Sequence, residues 1–172
     1  MSLSASVHPF QNGGSGTAVA DDDQIEKYLT YRVGGELYGT PLLSTREVIK
    51  IGEIKEAPYM VPHFKGVINL RGQIVGIVDL RIKFGLGVPG VPRGIILISE
   101  TEHGLMGAIV DELLAVEKVT EEQIDRKAPI QTTLPLEYFI GVARVGDRLV
   151  NLVDLSRCLS QDEMRSNPTQ VK

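Results

Sequence analysis

Several segments of the chain alternate apolar and polar residues with the two-residue period of half-buried β-strands. Residues 28–33, Tyr-Leu-Thr-Tyr-Arg-Val, show this alternation. The glycine pair at 34–35 supplies a two-residue hairpin turn into a second strand at 36–38. The pattern predicts a mainly β protein built from hairpins.

Helical patterns are few and short. Residues 81–84 and 155–159 each follow an aspartate, Asp79 or Asp154, whose side chain can cap a helix N-terminus. Residues 120–123, Thr-Glu-Glu-Gln, have the spacing of a capping box. We therefore expect only short capping helices beside the strands.

Residues 64–86 are the most apolar and most regular part of the chain, interrupted by Arg-Gly at 71–72. They predict two strands, at 66–70 and 73–79, joined by a tight turn at this pair. Residues 74–78 are apolar at nearly every position instead of alternating. This pattern predicts a strand that is covered on both faces. One face would pack inside a small β-barrel that contains the strand, and the other would pack against a second barrel or a partner.

The chain contains an internal repeat, which constrains the architecture more than any single motif. Two alignments show this repeat. The weaker one has a shift of 68 positions (39 to 107) and pairs Leu37, Gly39, Val48 and Ile51 with Leu105, Gly107, Val116 and Val119. Each half therefore holds the same elements in the same order. The stronger alignment, with a shift of 75 positions (64 to 139), has no gap and matches Phe64/Phe139, Gly66/Gly141, Val67/Val142, Val75/Val150, Val78/Val153, Asp79/Asp154 and Leu80/Leu155.

About five short strands in each half suit a small closed or partly closed barrel. We predict two small five-stranded β-barrels of SH3-like type, produced by internal duplication and packed together. They would form one domain over residues 24–160, with repeats at roughly 25–86 and 93–159. Residues 1–23 are rich in Gly, Ser, Ala and Asp and predict a flexible leader, and residues 161–172 predict a polar tail.

Composition restricts the kinds of partner. The formal net charge is −4, and aromatic residues make up 5% of the chain with no tryptophan, which disfavours a barrel that binds nucleic acid. No apolar run approaches the ~20 residues of a membrane-spanning helix, so no direct membrane insertion is expected. The start lacks a secretion signal, and Cys158 is the only cysteine, which predicts a cytoplasmic protein whose partners are proteins or small molecules.

Two features could carry chemistry, and both have simpler explanations. Asp79 and Asp154 occupy equivalent repeat positions, as in an aspartic protease dyad, but neither precedes a small hydroxyl residue and glycine, so capping is the better interpretation. Glycines at 85–90 match a dinucleotide-binding pattern but lead into a strand, which favours a linker between barrels. The three histidines are isolated, so we expect no metal, no cofactor and no catalysis.

Arg71 is the unusual residue of the apolar stretch. A two-residue hairpin turn favours Asn-Gly or Asp-Gly, whereas this turn is Arg71-Gly72. The equivalent turn of the second repeat is Gly146-Asp147, another pair typical of two-residue hairpin turns, so the shared fold does not require the arginine. A solvated turn residue remains one explanation, and a binding residue is the other.

Residues 64–75, Phe-Lys-Gly-Val-Ile-Asn-Leu-Arg-Gly-Gln-Ile-Val, followed by Ile77-Val-Asp-Leu-Arg81, closely resemble the core motif of the CheW family of chemotaxis adaptors. The resemblance extends more weakly over residues 25–159. It departs at Gly76, where the family often has proline.

The resemblance implies a non-enzymatic adaptor with two five-stranded β-barrels. Such a protein links the cytoplasmic tips of chemoreceptors, the methyl-accepting chemotaxis proteins, to the regulatory domain of the histidine kinase CheA. It would be cytoplasmic and would associate with membrane-bound receptor arrays through protein contacts. The alternative is a CheW-like scaffold of a non-flagellar pathway that controls pili or another output.

The resemblance also implies which residues bind the receptor. The motif hairpin and the strand before it would form the receptor-binding surface, and two residues of the second barrel would line the groove between the barrels. Apolar exposed edges of the barrels would contact the kinase. The implied receptor-binding residues are Glu47, Val48, Gly66, Asn69, Leu70, Arg71, Val110 and Leu113.

Overall fold

The computed structural model describes residues 24–58, 61–86, 94–129 and 134–160. The predicted leader at 1–23 and tail at 161–172 lie outside these residues, as does most of the predicted linker at 85–90. The strands are β1 (Ile25–Val33), β2 (Glu36–Pro41), β3 (Thr45–Lys50), β4 (Phe64–Leu70), β5 (Gln73–Asp79), β6 (Ile95–Thr101), β7 (Gly104–Val110), β8 (Glu112–Thr120), β9 (Ile124–Asp125), β10 (Phe139–Val145) and β11 (Arg148–Val153).

The helices are short, as the sequence predicts. The Asp79 side chain accepts a hydrogen bond from the Arg81 amide at the start of α1 (Leu80–Lys83), and Asp154 accepts one from the Arg157 amide at the start of α2 (Leu155–Cys158). The predicted capping box is present at a 3₁₀ helix. Three-residue 3₁₀ helices lie at Leu42–Ser44, Glu121–Gln123 and Leu136–Tyr138. No helix of the described segments is long and apolar enough to cross a membrane.

The strands form two sheets. Sheet A has the order β8-β1-β2-β11-β10-β9, and sheet B has the order β3-β6-β7-β5-β4. The repeat relates β1, β2, β3, β4 and β5 to β6, β7, β8, β10 and β11, so the order of sheet B maps onto the first five strands of sheet A. Sheet B therefore combines a hairpin of the second repeat with three strands of the first, and sheet A combines a hairpin of the first repeat with four strands of the second, the two-residue β9 included. Neither sheet is built from 25–86 or 93–159 alone, as one barrel for each repeat would require.

The mainly β prediction is confirmed, but the sheets are not closed barrels. Within the described residues, no ladder joins β3 to β4 or β8 to β9. The edge strand β3 ends at Lys50, and the chain reaches the other edge of sheet B only through an isolated pair between Lys55 and Val67, with N–O distances of 2.9 and 2.8 Å. In sheet A the two-residue strand β9 makes the corresponding contact with β10. Each sheet is thus open, with one short segment spanning its edges.

Three apolar cores hold the fold together. A central core contains side chains from both sheets, and each sheet also has a small core of its own. In β5, Val75 and Ile77 pack into the core of sheet B, whereas Val78 points to the central core. The prediction that both faces of this strand are covered is thus correct for these residues. It is wrong for Ile74, which is 66% exposed.

Candidate functional site

The turn between β4 and β5 forces Arg71 into an unfavourable backbone conformation. Arg71 has a φ of +49°, the only positive value at a non-glycine residue in the described segments, and Gly72 has a φ of +85°. These values suit the two-residue turns that match the twist of a hairpin. For a residue with a Cβ the left-handed region costs roughly 1–2 kcal/mol. A costly arginine at this tip points to a role for its side chain.

The Arg71 guanidinium reaches across to Glu47 on β3. Its Nη1 donates to Glu47 Oε1 at 3.0 Å, and its Nη2 donates to Glu47 Oε2. Because β3 and β4 are the two edge strands of sheet B, this bidentate pair spans the open side of the sheet. It therefore joins the two edges at a point where no backbone ladder does.

The pair lies at the surface. The Arg71 side chain is 72% exposed and the Glu47 side chain 32% exposed. The hydrogen bond from Arg71 lowers the pKa of the Glu47 carboxyl below its ordinary value and raises the pKa of Arg71. Exposed ion pairs contribute modestly to stability, although a bidentate pair such as this one contributes more than most. Two of the five guanidinium donors serve Glu47, which leaves the others facing solvent for a partner.

Exposed apolar side chains accompany this ion pair. Val48 follows Glu47 on β3 and is 40% exposed, and the exposed Ile74 lies opposite Asn69 in the hairpin. One apolar side chain thus follows Glu47 on β3, and the other follows the Arg71 turn on β5. Charged donors beside apolar surface are typical of a protein-binding patch.

The repeat places a second, similar edge on sheet A. Val116 on β8 and Leu149 on β11 are equivalent to Val48 and Ile74, and they are 50% and 58% exposed. Beside them, Arg148 donates to Glu117 with an Nη2–Oε1 distance of 3.1 Å, which joins β11 to β8. We call the residues Glu47, Val48, Arg71 and Ile74 the B edge, and Glu117, Val116, Arg148 and Leu149 the A edge.

Four further predicted site residues lie partly or wholly away from this surface. Asn69 is exposed in the hairpin, and the neighbouring Leu70 is half-buried against the core of sheet B. Leu113 is 38% exposed but belongs to β8 of the other sheet. Val110, predicted to line the groove between the barrels, is fully buried in the central core, and it therefore presents no surface in the free protein.

Gly66, another predicted contact residue, has a structural role at this edge. It is buried, with a φ of +136°, and a Cβ there would lie 2.0 Å from the carbonyl oxygen of Lys55. Lys55 is the residue that spans the edges of sheet B by pairing with Val67. Glycine is therefore required at this position for a close backbone approach, and no partner can touch it.

Asn69 shapes the turn that presents Arg71. Its Oδ1 accepts a hydrogen bond from the Gly72 amide at 2.8 Å. We expect Asn69→Ala to lower the free energy of unfolding by about 1 kcal/mol, since one exposed turn hydrogen bond is lost. Urea denaturation would measure this, with Asp147→Ala in the equivalent turn as the control that changes stability less. An Asn69→Ala variant as stable as the parent protein would show that the turn holds without this bond.

Comparison with known proteins identifies the family. The protein-family model of the CheW-like domain matches residues 27–163 of this chain. This chain belongs to the CheW family. The chemotaxis protein CheW of Klebsiella aerogenes is 33% identical to it over 140 residues, which are 81% of this chain and 84% of the relative. The protein FrzA of Myxococcus xanthus is 22% identical over 144 residues, 82% of this chain and 89% of the relative.

A solved structure supports both the family and the fold. The scaffolding protein TtCheW from Thermoanaerobacter tengcongensis superimposes with a TM-score of 0.71 and 29% identity, covering 78% of this chain and 88% of that protein. Family and neighbour together indicate a non-catalytic scaffold of chemotaxis. The accessible aspartate pair that a protease would need is not formed, because Asp79 is only 2% exposed and is bound by Arg81.

Sequence reasoning missed the buried Arg81 and the Arg148–Glu117 pair. Arg81 was placed in a short helix but given no role, although the repeat aligns it with Ser156 and so marks a large difference at equivalent positions. Arg148 directly follows the Gly146-Asp147 turn, and the local pattern does not give it a partner. Its partner Glu117 follows Val116, the equivalent of Val48, and that spacing was the available signal.

Proposed function

We propose that this chain is a non-enzymatic adaptor that couples the cytoplasmic tips of chemoreceptors to the histidine kinase CheA. Membership of the CheW family supports this function. The observation that carries the proposal is the Arg71–Glu47 pair, held at the tip of a hairpin in a costly backbone conformation and left exposed beside apolar side chains. The protein would work in the cytoplasm and join membrane-bound receptor arrays through protein contacts.

The B edge is the receptor-binding surface in this proposal. Glu47 fixes the orientation of the guanidinium, so its remaining donors point outward before the receptor arrives, which reduces the entropy lost on binding. Val48 supplies apolar contact area on the same strand, and Asn69 holds the turn. Leu70 supports the hairpin from its half-buried position, and Leu113 adds an apolar contact on the other sheet.

The A edge suits the regulatory domain of the kinase. Val116 and Leu149 are large apolar side chains that are 50% and 58% exposed, and exposed apolar surface marks protein contact sites. Because the A edge repeats the chemistry of the B edge, one adaptor can hold two partners at once on separate sheets. A bridging adaptor requires two such separate surfaces.

We expect Leu149→Asp to weaken association with the CheA regulatory domain by about tenfold, since a charge is placed in an apolar contact. Leu149 is already 58% exposed, so the fold should tolerate the change. Ile74→Asp, at the equivalent position of the B edge, is the matched variant and should leave kinase association nearly unchanged. Titration calorimetry with the isolated regulatory domain would measure both. Equal losses in the two variants would refute the assignment of separate edges.

Co-sedimentation tests the proposed function as a whole. Purified protein should sediment with assembled receptor-tip fragments and should carry the kinase with it, whereas the kinase alone should sediment less. Failure to bind either partner would remove the adaptor proposal. Binding to receptors and a kinase of a pathway that controls pili or another output would favour the alternative scaffold.

A further inference from the structure

A buried charged cluster lies at the junction of the two sheets. Arg81 and Asp79 are each 2% exposed. Arg81 Nε donates to Asp79 Oδ1 at 2.9 Å and Nη2 donates to Asp79 Oδ2 at 2.8 Å, so the guanidinium is gripped in two places. Its backbone amide donates to the same carboxylate at 3.0 Å. Arg81 is therefore fixed firmly to the end of β5 in sheet B.

The cluster continues into sheet A through Asp111. Arg81 Nη1 donates to Asp111 Oδ1 at 3.0 Å, and the Gly34 amide, in the β1–β2 turn, donates to Asp111 Oδ2 at 2.6 Å. The Asp111 amide also donates to the Arg32 carbonyl at 2.9 Å. Asp111 is the single residue between β7 of sheet B and β8 of sheet A. The chain therefore crosses from sheet B to sheet A at Asp111, which accepts hydrogen bonds from Arg81 of sheet B and from the β1–β2 turn of sheet A.

The equivalent junction in the other half of the molecule is built differently. The repeat places Ser156 at the position of Arg81, and Ser156 Oγ makes only a 3.4 Å hydrogen bond to the Glu100 carbonyl. A cavity of about 550 Å³ opens there, lined in part by Glu100, Tyr138, Ser156 and Arg157. One junction is filled by a bound guanidinium, whereas the other contains a small side chain and open space.

We propose that Arg81 is a positioning residue: through Asp111 it fixes the β1–β2 turn, and it thereby sets the angle between the two sheets and the spacing of the A and B edges. The Arg81 guanidinium is 2% exposed and the Asp111 side chain 29% exposed. This ion pair favours one geometry, because any other would take a carboxylate away from a guanidinium that is buried. The open junction around Ser156 imposes no comparable restraint. The orientation of the sheets therefore depends on one side of the interface.

Distance measurements between the sheets test this inference without any partner, so the outcome is independent of the proposed adaptor function. Lys50 on β3 and Lys118 on β8 are exposed and equivalent by the repeat, and Lys50→Cys with Lys118→Cys provides two sites for spin labels. Cys158 is buried, and burial raises the pKa of its thiol to about 12, so it should escape labelling. Double electron–electron resonance then reports the distribution of distances between the two edge strands.

The parent protein should give one narrow distribution. Asp111→Ala, which leaves the Asp79–Arg81 grip in place, should broaden it by about twofold or shift its centre, as expected for a second populated arrangement. The amide of Gly34 should also exchange about tenfold faster, since it loses its acceptor. Ser156→Ala at the equivalent junction should change neither measurement.

Asp111→Asn provides a second variant if Asp111→Ala does not fold, because asparagine keeps the volume and one acceptor but cannot satisfy Arg81 and Gly34 with two carboxylate oxygens. It should broaden the distribution to a smaller extent. A distribution as narrow and as centred as that of the parent protein in the folded variant would overturn the proposal, even if the melting temperature falls. Equal broadening in Ser156→Ala would overturn it as well.

Discussion

Asp79→Asn is expected to lower the free energy of unfolding by about 3–5 kcal/mol, the range seen when one partner of a buried ion pair is removed. Asp79 and Arg81 are almost fully buried, and the carboxylate accepts three hydrogen bonds from Arg81. Asparagine offers one acceptor oxygen, and its amide group would face a guanidinium that has only donors. Arg81 would keep its buried positive charge but would lose about half of its hydrogen bonding to residue 79.

Asp154→Asn is the matched control, because the repeat places Asp154 at the equivalent cap. Its side chain is 39% exposed and forms a longer 3.5 Å ion pair with Arg157. Asparagine caps a helix about as well as aspartate, so this change removes only an exposed ion pair and should cost at most about 1 kcal/mol. Urea denaturation of both variants, monitored by far-ultraviolet circular dichroism, measures the difference in their free energies of unfolding. Equal losses of stability would show that Asp79 acts only as a helix cap and that the buried guanidinium is satisfied without it.

The contrast between these aspartates shows what the sequence could and could not predict. Both positions were correctly predicted as caps, because capping depends on a few neighbouring residues. Whether a cap is also buried depends on what the rest of the fold packs over it. Arg81 is brought to Asp111 across 30 positions of sequence, and the local pattern around Asp79 contains no sign of that contact.

The mixing of strands from both repeats within each sheet also depends on contacts between residues that are distant in the sequence. Hairpins at 25–41, 64–79 and 139–153 follow from local alternation and turn residues, and the structure contains them. Which hairpins share a sheet is decided by long-range pairing, such as the short parallel contact of β2 with β11. Repeats with nearly identical patterns can pair within themselves or with each other. The repeat pattern alone therefore could not predict that each sheet mixes both halves.

The candidate site was predictable where side chains act locally and less so elsewhere. Arg71 was recognised because it breaks the preference of a two-residue turn, and the structure gives it Glu47 as a partner. Gly66 and Val110 were assigned to the surface by resemblance, which does not distinguish residues that shape a surface from residues that form it. Both are buried, Gly66 for a close backbone approach and Val110 for the central core.

Arg71→Ala should weaken receptor association by about 1.5–3 kcal/mol, or roughly ten- to a hundredfold, through the loss of charge-assisted hydrogen bonds. The fold should survive, because the side chain is 72% exposed and its ion pair lies at the surface. Alanine pays a similar backbone cost at a φ of +49°, so stability should change by only about 0.5 kcal/mol. Thermal melts beside titration of a receptor-tip fragment would separate the two effects.

Arg71→Lys should restore only part of the affinity, since lysine keeps the charge but cannot grip both oxygens of Glu47 while offering a planar set of donors to the receptor. Arg148→Ala is the matched control, because it removes the Arg148–Glu117 pair from the A edge and should affect receptor binding much less. If Arg71→Ala binds the receptor fragment as tightly as the parent protein, or if its melt shows an unfolded chain, Arg71 is a turn residue that serves the fold and not the receptor.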